Sequence, residues 1–227
     1  MNKKCFIITA YIDGFDGAAF FHNKVKNEME TAFVICADGG YEYAKMLDII
    51  PNLLIGDFDS YKGNLPSDED ANKMGIEIYK VNAVKDDTDT GLCIKYALER
   101  GFGDITIIGG VGGRLSHTVA NLQLLADTST KVDKIVMIDP FRIIQTICGP
   151  QKITIKKSDI GIKEGHSFIS ILSHCDTAKG ISIDGAFYNL ENVDISNIFP
   201  LGVSNEFVED SMDIVVEEGI LHIIIDF

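Results

Sequence analysis

Short apolar runs alternate with amphipathic stretches through the first 140 residues. The runs are 4–9 (KCFIIT), 33–37 (FVICA), 53–55 (LLI), 76–81, 105–108 (ITII) and 134–138 (KIVMI). Each is too short for a helix and too continuous for a strand with one wet face, so each reads as a buried strand. Between them, Leu92, Tyr96, Ala97 and Leu98 recur at helical spacing within 88–100, and 118–126 (TVANLQLLA) is a second helical pattern. Strands alternating with helices predict βαβ units and a mostly parallel sheet covered on both faces.

After Pro140 the texture changes. Runs rich in β-forming residues at 142–148, 152–156, 167–172, 180–183, 212–216 and 220–226 follow one another without a long helical pattern. Gly149-Pro150, Gly161, Gly165, Gly185 and Gly219 punctuate them. This pattern predicts an all-β, sandwich-like domain. The predicted organisation is an α/β domain over 1–140 and a β domain over 141–227, with the boundary near 139–148.

Composition narrows the function classes. Twenty basic residues against 34 acidic ones leave a net charge of −14, which opposes a phosphate backbone and argues against a nucleic-acid partner. At 46% hydrophobic residues the chain has ample material for a core, so disorder is excluded despite the charge. No apolar run approaches the ~18 residues of a membrane span, and the run after Lys4 is too short for a secretion signal. Five widely spaced cysteines, with no CxxC pair, read as free thiols in a reducing compartment; the expected location is cytoplasmic.

Candidate chemistry gathers just past the predicted strands. Gly56-Asp57-Phe58-Asp59-Ser60 follows the run at 53–55. Two carboxylates at i and i+2 on the carboxyl edge of a parallel sheet suit a hard divalent cation, although Asp and Ser are also ordinary turn residues. Lys85-Asp86-Asp87-Thr88-Asp89 sets three acids within four positions. One acid would cap the following helix, but three are more than a cap needs. Gly109-Gly110-Val111-Gly112-Gly113-Arg114 follows the run at 105–108 and opens the helix that contains His117 and Asn121. Glycines admit close approach by a ligand, a helix start offers N–H groups to an anion, and Arg114 offers a forked donor to phosphate. The segment is neither a Walker A loop nor a dinucleotide fingerprint, and a tight strand-to-helix turn would need only one or two of its glycines. Ala37-Asp38-Gly39-Gly40 is a fourth, weaker strand end. Jointly, acids for a metal and Gly/Arg for phosphates describe a site for a metal-bound nucleotide, the requirement of phosphoryl or diphosphoryl transfer. The residues alone also admit a metal-dependent phosphohydrolase or nucleotidyltransferase, a DxD-type glycosyltransferase, or a regulator that binds without turnover.

The segments ADGG (37–40), PNLLIGDFDS (51–60), KDDTDTGLCIKYAL (85–98) and GGVGGRLSHTVANLQLL (109–125), with Ser204-Asn205-Glu206 further on, resemble the thiamine pyrophosphokinase family over nearly the whole chain. The resemblance implies transfer of diphosphate from ATP to the hydroxyethyl oxygen of thiamine, giving thiamine diphosphate and AMP, with Mg²⁺. It implies an α/β domain followed by a β-sandwich, in a homodimer with thiamine near the subunit interface. By motif, Asp57, Asp59 and Asp89 would hold Mg²⁺, with Asp86 in the same catalytic group. Asp38, Gly39, Gly40, Lys85, Thr88, Gly110, Gly113, Arg114, His117 and Asn121 would meet ATP, and Ser204 and Asn205 would meet thiamine. Two positions depart from the family pattern. Ser116 stands where a carboxylate is usual, and Tyr41-Glu42 follows the glycines where Ala-Asn is common. Both leave the core acids in place.

Overall fold

The strand and helix runs of the first 140 residues become β1 (Lys3–Ile8), α1 (Ala19–Met29), β2 (Phe33–Ala37), α2 (Gly40–Met46), β3 (Leu53–Gly56), α3 (Asp68–Met74), β4 (Glu77–Lys80), α4 (Asp89–Glu99), β5 (Phe102–Ile108), α5 (Leu115–Ser129) and β6 (Lys134–Asp139). The structure is a computed structural model and describes residues 3–17, 19–59, 61, 63–82, 87–160 and 167–227. The chain divides into two units, the first made of residues 1–124, 131–133 and 137–140, the second of the rest.

In the first unit five strands pair in parallel in the order β5-β1-β2-β3-β4. The last four residues of β1 and β2 and all of β3 are buried, without the alternation of a one-sided sheet, because helices cover both faces. Successive side chains point to opposite faces. Phe6, Ile8, Val34, Cys36 and Leu54 join one cluster with Val25 and Met29 of α1 and Ala44 of α2. Cys5, Ile7, Ile35 and Leu53 are buried as well, and Cys93, Ile94 and Ala97 bring α4 against β1, β2, β3 and β5. Caps set the helix ends. Ser67 Oγ accepts from Asp70 N at 3.1 Å to start α3, Gly75 ends it at φ +72°, and Thr88 Oγ1 accepts from Gly91 N at 3.1 Å to start α4. Thr88, and not an acid as the sequence suggested, is therefore the cap of α4.

The second unit contains β7 (Arg142–Cys148), β8 (Gln151–Lys156), the single-turn α6 (Lys157–Ile160), β9 (Phe168–Ser173), β10 (Thr177–Asp184), β11 (Leu190–Ser196), β12 (Gly202–Asn205), β13 (Ser211–Val216) and β14 (Ile220–Asp226). Antiparallel pairs order them as β12-β9-β14-β7 and β11-β10-β13-β8. Ile169 and Ile171, Ile181 and Ile183, Met212, Ile214 and Val216, and Leu221, Ile223 and Ile225 point inward at period two and share one core. The predicted α/β region and antiparallel sandwich are both present. β11 and β12 carried no strand signal in the sequence. Both lie at a sheet edge, and neither carries a run of apolar residues. Among the described residues no helix is long and apolar enough to cross a membrane, and none of the five cysteines is in a disulfide.

One buried polar chain crosses this sandwich sheet. His222 on β14 is 5% exposed, with Nδ1 2.8 Å from Thr146 Oγ1 of β7 and Nε2 3.0 Å from His174 Nδ1. Burial, and secondarily the neighbouring His174, lowers its pKa from the ordinary 6.5 to about 4. The folded state holds His222 neutral while the unfolded chain protonates below about pH 6.5, so stability falls as pH drops from there towards 4. The expected loss from this residue between pH 7 and 4.5 is about 2 kcal/mol. Thermal melts of the wild type and His222→Gln across that range measure it. An identical acid slope in the two proteins would remove His222 from the account.

Candidate active site

All five strands of the parallel sheet end on one edge, and their loops bound a cavity of about 610 Å³. It is lined from β1 by Thr9, Ala10 and Tyr11, from β2 by Ala37 and Asp38, and from β3 by Asp57 and Asp59. Asp87, Thr88, Asp89 and Thr90 come from the start of α4, and Gly110, Gly112, Gly113, Arg114, His117, Ala120 and Asn121 from the loop after β5 and from α5. This is the carboxyl edge at which open α/β sheets bind ligands.

Asp38, Asp57 and Asp59 each offer a carboxylate oxygen, and the three lie within 4.8 Å of one another. Local backbone geometry builds this cluster. Asp38 N donates to Ile55 O at 2.8 Å, which ties the end of β2 to β3. A Cβ on Gly56 would meet Asp38 Cα at 2.9 Å, so the glycine lets the two strand ends close up. Asp38 and Phe58 both adopt left-handed backbone, at φ 47° and 60°, a region costly for residues other than glycine. Phe58 packs against the core, and the Asp59 N–H turns back to donate to Asp57 Oδ1 at 3.1 Å. The two carboxylates thereby reach the same side. Asp38 is 6% exposed, Asp57 half-buried and Asp59 exposed. Three like charges at this spacing repel, and a hard divalent cation with oxygen ligands relieves the repulsion. The donor set fits Mg²⁺.

The opposite wall is the glycine loop. Asn121, buried in α5, donates from Nδ2 to Gly110 O at 2.8 Å, and Thr118 Oγ1 accepts from Gly112 N at 3.1 Å. Two side chains of the helix thus hold the loop that precedes it. Arg114 and His117 are exposed at the cavity and are its basic side chains among the described residues.

The predicted residues distribute as follows. Asp38, Asp57, Asp59, Thr88, Asp89, Gly110, Gly113, Arg114, His117 and Asn121 share the one cavity. Asp38 makes the carboxylate trio with Asp57 and Asp59, while Asp89, at the first position of α4, lines the cavity outside that trio. Lys85 and Asp86 lie outside the described residues. Gly39 and Gly40 are not among the cavity residues, and Gly40 has a packing reason instead: a Cβ there would fall 2.1 Å from Ile8 O. Ser204 and Asn205 belong to the second unit. Asn205 is buried, its Oδ1 accepts from Tyr188 N at 2.9 Å and Glu206 N at 3.0 Å, and its Nδ2 donates to Tyr188 O at 2.8 Å. Its amide staples the turn that bears Phe187 and Tyr188 to β12. Ser204 is exposed at φ 61°. Sequence reasoning passed over Thr9, Ala10 and Tyr11. The signal was the position itself, since the loop after any parallel strand opens on the same edge.

Comparison with known proteins gives the family. Residues 25–137 match the family model described as the thiamin pyrophosphokinase catalytic domain, and residues 152–221 match the thiamin pyrophosphokinase vitamin B1 binding domain. The thiamine pyrophosphokinase of Bacillus subtilis is 31% identical over 173 residues, which cover 76% of this chain and 77% of that protein. A crystal structure of the Bacillus subtilis enzyme superposes with a TM-score of 0.76 at 27% identity, covering 99% of this chain and 98% of the other. Thiamin pyrophosphokinase from Candida albicans shares the fold with a TM-score of 0.72 at 18% identity, over 100% of this chain and 90% of that one. With both domain models matched in order and a relative of this identity spanning three quarters of its length, the chain belongs to the thiamin pyrophosphokinase family of enzymes.

Proposed function

We propose that the enzyme transfers the β,γ-diphosphoryl group of ATP to the hydroxyethyl oxygen of thiamine, releasing AMP, and that it requires Mg²⁺. The observation that carries this reading is the carboxylate trio of Asp38, Asp57 and Asp59, facing a glycine loop with Arg114 across one cavity. Asp57 and Asp59, with Asp38 and Asp89 beside them, would hold the ion, which supplies charge neutralisation for the phosphates. The Arg114 guanidinium is available to phosphate oxygens, and the loop held by Asn121 and Thr118 sets where the nucleotide can lie. The thiamine oxygen forms a bond to the β-phosphorus, the bond from that phosphorus to the α-phosphate oxygen breaks, and AMP leaves with the electron pair. The hydroxyl proton passes to a carboxylate of the cluster. Holding the reactants in line is the main work of the site, because phosphoryl transfer asks little covalent chemistry of the protein.

Thiamine is assigned to the second unit, with Ser204 at the surface and Asn205 holding the turn behind it. A second copy of the chain is assigned to the exposed apolar side chains of the same unit. Ile198 is 90% exposed, and Phe187, Tyr188, Phe199, Leu201 and Val203 are also largely exposed. Exposed apolar side chains of this size mark an interaction surface where they lie together.

Incubation with Mg²⁺, ATP and thiamine, followed by chromatography, is expected to yield AMP and thiamine diphosphate in equal amounts, with no product after chelation of the metal. Sedimentation of the same preparation is expected to give a dimer. Free phosphate or diphosphate without thiamine diphosphate would instead indicate a hydrolase.

A further inference from the structure

We propose that Tyr11 is the platform on which the base of the nucleotide substrate stacks, an inference that rests on the nucleotide reading above. Tyr11 follows β1 in a loop, yet its backbone is anchored. Its carbonyl accepts from Gly110 N at 3.0 Å and lies 3.0 Å from Thr9 Oγ1, which shares its proton with Ile108 O. The ring lies over the glycine loop. A Cβ on Gly112 would fall 2.9 Å from Tyr11 Cε1, and one on Gly113 would fall 3.8 Å from three ring atoms. Both glycines have positive φ, 92° and 62°. Gly112 therefore makes room for the tyrosine ring, and Gly113 lies beneath the same ring at ordinary contact distance. The loop is shaped to the ring, yet Tyr11 remains 45% exposed and lines the cavity. A core aromatic would be covered, whereas this ring is seated on the loop at Gly112 and still open to the cavity.

Position says what the ring meets. β1 lies between β5 and β2, so the chain winds outward in both directions from the β1–β5 boundary, the switch point at which such sheets take ligands. The carboxylate trio stands at the ends of β2 and β3. Tyr11, leaning over the loop after β5, is two to three strand spacings away, about 10–15 Å. That separation suits a nucleoside triphosphate whose phosphates meet the acids and whose base reaches the ring. In the reading above thiamine reaches this cavity through its hydroxyethyl oxygen while its rings are assigned to the other unit. The base is therefore the planar group placed against Tyr11, which among the described residues is the Tyr, Phe or Trp lining the cavity. Stacking reads a π-face and not a hydrogen-bond pattern, so ATP and GTP are expected to depend on Tyr11 alike.

The test is calorimetric binding of AMP and of inorganic tripolyphosphate, each with Mg²⁺, to wild-type, Tyr11→Phe, Tyr11→Leu and Tyr11→Ala proteins. Tyr11→Ala and Tyr11→Leu are expected to weaken AMP about tenfold, and Tyr11→Phe to stay within about twofold. Tripolyphosphate, which has no base, is expected to bind all four equally, and that result also reports an intact site. Unchanged AMP binding in Tyr11→Ala, full retention in Tyr11→Leu, or equal weakening of tripolyphosphate would overturn the platform. Wild-type protein that binds neither ligand would instead overturn the nucleotide reading itself.

Discussion

Asp57→Asn protein is expected to turn over at least a hundredfold more slowly than wild type at saturating ATP and thiamine, and to need more Mg²⁺ for half-maximal rate. Asparagine keeps the oxygen that accepts the Asp59 N–H, so the turn that aims both side chains survives. What is lost is one of three charges within 4.8 Å. A contact that strengthens as charge develops on the transferring group is felt in kcat more than in KM. The same change is expected to leave the ligand-free protein as stable as wild type or more so, because it relieves repulsion among the three carboxylates. Loss of activity with an undiminished melting temperature separates a site effect from a folding effect. Turnover at the wild-type rate under saturating Mg²⁺ would remove Asp57 from the metal assignment.

The second large effect concerns adjacent glycines with opposite expected fates. Gly40→Ala puts a methyl carbon 2.1 Å from the Ile8 carbonyl oxygen and 2.8 Å from its carbon, both backbone atoms of the central strand β1. Nothing there can swing aside, so β1 and α2 must separate, at a cost of about 3 kcal/mol or more. That is a large part of the stability of an ordinary domain. Gly39→Ala meets Ala10 Cβ at 3.5 Å, an ordinary contact, and Gly39 already has helical backbone at φ −61°. It is expected to change stability by less than about 0.5 kcal/mol. Denaturation midpoints of the two variants, side by side, test the packing account. Equal midpoints would refute it, and failure of Gly40→Ala alone to fold would support it.

Much of the fold was legible because burial leaves a mark on short segments. A strand covered on both faces is apolar throughout, and β1, β2, β3 and β5 each showed such a run. β9, β13 and β14 were legible as short runs rich in β-forming residues, while which of their residues face inward came from the structure. β11 and β12 were not legible, since an edge strand can be held by its backbone pairing with few apolar residues. In the site, Asp57 and Asp59 were legible as a pair because both belong to one turn. Asp38 was legible as another strand-end acid nearby, but its place in the trio was not, because that depends on a contact between strands permitted by the missing side chain of Gly56.

The amino-acid order alone determined the rhythm of strands and helices, the change of architecture after Pro140, and the presence of acids and glycines at successive strand ends. These are local properties, readable within a dozen residues. Only the tertiary structure decided which ends are neighbours. The order β5-β1-β2-β3-β4 rests on pairings between segments far apart in the chain, such as β1 with β5, and no local periodicity encodes them. That lateral order brings Asp38 to Asp57 and seats Tyr11 on the glycines after β5.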